Sequence, residues 1–120
     1  MFDSNCMLRK SSSAGNVTGD EGSAPYVRTG PDLEPQVIAI HVPNTVANCS
    51  LQVSIVESHD GVNPAQIHQC ALINAAGTHY TTVKFNGPFK SYRIIQVGSK
   101  AGDWGAVDIG LVPGGRYTNH

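Results

Sequence analysis

Charge is what this chain has least of. Only 14% of its 120 residues are Asp, Glu, Lys or Arg, and the balance is −1. A nucleic-acid-binding domain carries a basic stripe, and Arg9-Lys10 with Lys84, Lys90 and Arg93 are too sparse to make one. Long apolar runs are missing as well. None nears the ~18 residues of a membrane-spanning helix, so neither nucleic acid nor a membrane is an expected partner. Met1 to Cys6 has no basic start and no apolar stretch of the kind expected of a secretion signal. The cysteine count is three, at Cys6, Cys49 and Cys70. An odd count without such a signal argues against a disulfide scaffold. No segment repeats, and none has a helical apolar period.

What remains is strand punctuated by turns. Ser50 to Glu57 alternates apolar and polar residues, Ser58-His59-Asp60-Gly61 breaks the pattern, and Ile67 to Ile73 resumes it. Ala76-Gly77-Thr78 breaks it again before Tyr80 to Phe85, and Tyr92 to Val97 follows. Alternation of this kind predicts half-buried antiparallel strands, and the turn spacing points to an all-β sandwich or barrel. Gln36 to Val42 is nearly continuously apolar and β-branched, which predicts a buried central strand. Trp104 to Val112 is the last expected strand, with Val107, Ile109 and Leu111 inward.

Residues 1–35 hold little apolar material. They read as an extended arm with at most two short strands, Met7 to Lys10 and Tyr26 to Thr29, whose order would depend on a neighbour. Residues 36–120 read as the sandwich domain with a C-terminal tail from Pro113. A globular part of roughly 85–90 residues is often marginal alone and gains from an oligomer or assembly.

Hairpin register bears on the cysteines. If residues 58–65 are the loop, Glu57 faces Gln66, Ile55 faces His68, Val53 faces Cys70, Leu51 faces Leu72 and Cys49 faces Asn74. Cys49 and Cys70 then lie roughly 13 Å apart along one face, too far to bridge. A bulge in the loop would shift this register by one residue.

Residues that could carry chemistry each have a structural reading beside the functional one. Five histidines, His41, His59, His68, His79 and His120, invite a metal. A cupin-type site needs a His-X-His pair, which is absent; His68 and Cys70 share a strand face but would need Cys49 or His41 to complete a set. Glu57 and Asp60 flank the hairpin loop, where turn chemistry accounts for them. Ser58, His59 and Asp60 are consecutive, the wrong geometry for a catalytic triad. Gly110 to Arg116 is glycine-rich but has no following helix or Lys, so it is no phosphate loop. Trp104 is either a core plug or an interface anchor. Tyr117, in an otherwise polar tail, suits an anchor. No catalytic residue, cofactor or metal is expected, and the protein is not expected to be an enzyme.

Four short motifs carry a resemblance: Glu57 to Gly61, Ala76 to Tyr80, Lys90 to Ile94 and Val107 to Gly115. They fall in a stretch of about 70 residues from Ser50 onward whose pattern resembles the decoration, or cement, proteins of tailed-bacteriophage capsids. The resemblance implies a jelly-roll-like antiparallel sandwich, a homotrimer, and the major capsid protein as partner. It places the protein in the virion, on the outer capsid surface, after synthesis in the host cytoplasm. Phe2, Trp104, Arg116 and Tyr117 are the expected interface residues. The alternative is a carbohydrate-binding or tail-associated adhesion sandwich, which would expose aromatics on one face, with Tyr26, Tyr80, Tyr92 and Trp104 as candidates.

Overall fold

The computed structural model describes residues 7–22, 25–29, 35–98 and 102–112. Eight strands run in order: β1 Met7–Arg9, β2 Val27–Arg28, β3 Gln36–Val42, β4 Cys49–Ser58, β5 Gln66–Ile73, β6 Gly77–Val83, β7 Phe89–Gly98 and β8 Asp108–Leu111. One four-residue helical turn, α1 Ser11–Ala14, follows β1. Strands make up 54% of the structure and helix 4%, so this is an all-β sandwich. One sheet has the order β1-β8-β3-β6 and the other β2-β7-β4-β5. All pairings are antiparallel, and they nest: β4 with β5, β3 with β6, β2 with β7, β1 with β8. The chain is thus a ribbon folded at the β4–β5 hairpin and rolled, so that the partners of each pairing lie progressively farther apart in sequence from that hairpin outward.

The alternating residues fill the space between the sheets. Ile38, Ile40, Val42, Ile109 and Leu111 enter from one sheet, and Leu51, Val53, Ile55, Tyr92 and Ile94 from the other. Gln36–Val42 is central, held by β8 on one side and β6 on the other. Phe85 and Trp104 plug the core from loops, and both are fully buried.

Three expectations need correcting. The hairpin register holds from Glu57↔Gln66 to Ser54↔Gln69, then slips, so that Leu51 faces Ile73 and Gln52 faces Leu72. The bulge lies within β5 around Cys70 and Ala71, not in the loop. An extra residue there reverses the alternation: Cys70 and Ile73 both turn inward, and Leu72 is left outside. The last strand is shorter than expected, because Trp104 to Val107 form an irregular approach to it. Strand β6 starts earlier and ends at Val83, which leaves Phe85 in a turn yet still buried.

Residues 7–22 pack against the sandwich of their own chain. Arg9 is buried, and its guanidinium grips Glu21 with two hydrogen bonds, Nε to Oε1 and Nη2 to Oε2, both 2.9 Å. Nη1 donates to the Val107 carbonyl at 2.6 Å and to Gly15 at 3.1 Å. The Tyr92 hydroxyl donates to Glu21 Oε1 at 2.8 Å. Val17 enters the core, and its backbone bonds Trp104 and Gly105. Glu21 also bridges Ile94, while the Asp20 carboxylate accepts from the Gln96 N–H, so residues 20–22 cover the outer edge of β7. The cysteine expectation agrees with the structure, in which Cys49 and Cys70 are free and buried.

Removing one partner of a buried ion pair strands the other charge. Glu21→Ala should therefore lower unfolding free energy by about 3 kcal/mol in urea denaturation, and expose residues 10–22 to protease in the native protein. Arg9→Lys should be destabilised nearly as much as Arg9→Ala, because an ammonium cannot form the two parallel bonds.

Candidate interaction surface

Glu57, Asp60, His41, His68 and His79, singled out in the sequence, each have a structural partner. The Glu57 carboxylate, at 1% exposure, is the most heavily used. Its Oε2 accepts the backbone N–H groups of Asn86 (3.0 Å) and Gly87 (2.9 Å), and its Oε1 accepts Nε2–H of His68 at 2.5 Å. The His68 ring packs edge-on against Phe85. Lys90 lies opposite Glu57 in the β4–β7 ladder, buried, with Nζ donating to Thr29 Oγ1 and the Gly87 carbonyl and resting over the Phe85 ring. Burial pushes the Glu57 carboxyl up, but His68 and the two backbone donors outweigh it and hold it below the usual carboxylate range. This cluster clamps the 86–88 turn against the hairpin. Gly87 is required there, since a Cβ would sit 2.5 Å from the Ser58 carbonyl oxygen.

Asp60 does turn work. Its carboxylate accepts the N–H groups of Val62 (2.8 Å) and Asn63 (2.9 Å) and the Asn63 side-chain amide (3.0 Å), all of which favour its charged form. Ser58 Oγ accepts the Gly61 N–H, and Gly61 holds φ at +78°. The other histidines are dispersed. His41 Nδ1 lies 3.1 Å from Thr78 Oγ1, His79 Nε2 donates to the Ala75 carbonyl at 2.8 Å, and His59 is exposed in the turn. His120 lies outside the described residues. Among the described residues no three His, Cys, Asp or Glu side chains gather into a metal-holding group.

Of the expected interface residues, Phe2, Arg116 and Tyr117 lie outside the described residues. Trp104 is 0% exposed, and of its two readings the structure gives the core plug. Its indole N–H finds no partner among the described residues. Tyr92 is buried and Tyr26 half-buried, which leaves Tyr80, at 67%, as the exposed aromatic among those candidates.

A different set of residues forms a surface. On the outer face of the β2-β7-β4-β5 sheet, Gln52 is flanked by Leu72 on β5 and Ile95 on β7, Ser50 by Val97, and Val56 by Ile67. Leu72, Ile67, Val97 and Ile95 are 55, 44, 42 and 38% exposed. Between them lie Gln52, Ser54 and Gln69, with Arg93 the charge in the middle row. Four branched apolar side chains on one pleated face are more than scattered surface residues; grouped apolar exposure marks interaction sites. Part of this face was hidden in the sequence by the bulge, because unbroken alternation turns Leu72 inward. Ile95 and Val97 could have been found from strict period-2 counting opposite Ile94.

Compared with known proteins, the chain matches no family model, no curated protein and no solved structure.

Glu57 and Glu21 are both held below the usual carboxylate range. In the unfolded chain they bind protons at higher pH, so acid favours unfolding. Stability from these groups should be constant above about pH 5 and fall as pH drops through their folded pKa values. In a urea series, Glu57→Gln should flatten this acid limb and lower stability at neutral pH. Gly87→Ala should cost about 1–3 kcal/mol by forcing the turn off Ser58.

Proposed function

We propose that this protein is a structural virion component that decorates and stabilises a bacteriophage capsid, bridging major coat protein subunits as a trimer. The observation that carries the reading is the apolar outer face with Ile67, Leu72, Ile95 and Val97, a surface built for contact on a rigid sheet. The buried titratable groups are occupied in holding turns and strands together, which suits a protein that works by binding. The nested strand pairing supports reading the sandwich as a jelly roll, the architecture the sequence resemblance implies. Such a protein acts by mass action: each copy buries apolar surface against more than one coat subunit, so rupture of the shell must break those contacts. The terminal residues Phe2, Arg116 and Tyr117 belong to the same proposal as further anchors.

The experiment is decoration of purified shells. Capsids stripped of the protein should rupture at lower temperature or force, and adding it back should restore them, with coat assembly unaffected. Ile95→Lys combined with Val97→Lys should weaken occupancy about 30-fold, the ~2 kcal/mol of an interface hot spot. Arg116→Ala with Tyr117→Ala should weaken it comparably. Failure to bind any capsid, together with retention on a polysaccharide column, would replace this reading with the adhesion module.

A further inference from the structure

We propose that Asn86 is a latent deamidation site, held closed by the Glu57 carboxylate and opened only when the 86–88 turn comes away from β4. This modification site is independent of the capsid reading.

The chain contains one Asn-Gly pair, Asn86-Gly87. Such a pair carries its own reagents. The glycine nitrogen attacks Cγ of the asparagine, and no Cβ on the glycine hinders the approach. The N–Cγ bond forms and the Cγ–Nδ2 bond breaks. The amide leaves as ammonia, taking the hydrogen that the glycine nitrogen gives up. Water then opens the succinimide ring. Cleavage at Cγ leaves an aspartate, and cleavage at the main-chain carbonyl leaves an isoaspartate.

The fold withholds the attacking nitrogen. Asn86 is exposed, so its amide meets water, but Gly87 is buried. The Gly87 N–H donates to Glu57 Oε2 at 2.9 Å, and the Asn86 N–H donates to the same oxygen at 3.0 Å. The hydrogen that must leave is therefore the one Glu57 holds. Glu57 is badly placed to take it as a base. That oxygen already accepts two N–H groups, and His68 occupies the other. A negative charge beside the nitrogen also opposes its ionisation. The turn is pinned from two further directions. Gly87 lies so close to Ser58 that a Cβ would sit 2.5 Å from the Ser58 carbonyl oxygen, and Lys90 Nζ donates to the Gly87 carbonyl at 3.2 Å. This packing also keeps glycine at position 87, so the labile pair comes with the clamp. The one Asp-Gly pair, Asp60-Gly61, is closed by the same means: the Gly61 N–H donates to Ser58 Oγ at 3.0 Å.

Opening is recorded in one direction. An isoaspartate routes the main chain through Cβ and puts one more carbon between the N–H groups of positions 86 and 87. They then no longer converge on one oxygen, and the clamp does not reform.

The test incubates the full chain at neutral pH. Peptide mass at residue 86 reads the change from amide to acid, and isoaspartyl methylation reads the rearranged product. Native protein should convert about 100-fold or more slowly than the same chain in denaturing urea, because a closed site reacts only through its open fraction. Glu57→Ala, shown folded by circular dichroism, should raise the native rate about tenfold or more, the worth of a hydrogen bond to a charged group. Asn74, exposed in the turn before β6, should keep its rate. If the variant does not fold, the wild type decides. In urea below the unfolding transition, conversion should rise in proportion to hydrogen exchange at the Gly87 amide, since one opening frees both. A native rate equal to or above the denatured rate would overturn the proposal. So would a folded Glu57→Ala protein that converts at the wild-type rate, or conversion that does not follow Gly87 exchange.

Discussion

One ion pair decides how much of this chain is a folded protein. Arg9 is buried against the Val107 carbonyl, and Glu21 reaches it from the far end of a polar segment. Bringing a guanidinium into the sandwich without a carboxylate would leave a charge without compensation. With Glu21 and the Tyr92 hydroxyl in place, the segment between them is tied at both ends, and Val17 can enter the core beside Trp104. The same residues then cover β7. The first strand, the core plug and the protected edge thus depend on a single bidentate contact.

That dependence explains where sequence reasoning reached and where it stopped. Period-2 alternation locates β4, β5 and β7 because each has one face in the core, and a half-buried strand must alternate; β3 is located by its nearly continuous apolar, β-branched run. Composition counting fails for residues 9–22, since a segment with one buried valine looks unable to fold. Its stabilisation comes from a pair separated in sequence and joined through β7, and nothing local marks it. The bulge in β5 is hidden for a related reason. Cys70, Ala71, Leu72 and Ile73 are all apolar, so the pattern does not say which of them turn inward. Trp104 is ambiguous in the sequence because an aromatic beside glycines suits a core or a surface, and only its complete burial in the core cluster with Val17 and Val107 separates the two.

The two sides of the sandwich have been finished by opposite means. At the β1–β2 side, charge and a covering segment close the sheet, and the polar groups there are consumed internally. At the β5–β6 side the edges stand open and uncharged. A chain with so few charged residues has few to spend, and it places them where they hold its own fold. The apolar face bearing Ile95 and Val97 lies on the sheet that joins the two sides.

Glu57 gives the same argument at one residue. A buried carboxylate with two raised edges of chemistry around it, His68 on one side and Lys90 opposite, resembles an acid–base site in the choice of groups alone. A working general base needs a lone pair directed at a substrate. Here one oxygen is taken by His68 and the other by two backbone N–H groups of the 86–88 turn. The hydrogen bonds that hold its pKa down also stabilise the charged form, so the residue is tuned towards permanence and away from proton exchange near neutrality. Its chemistry is architectural. It fixes the turn that lets β7 run beside β4, and it is this run that sets Ile95 and Val97 on the outer face.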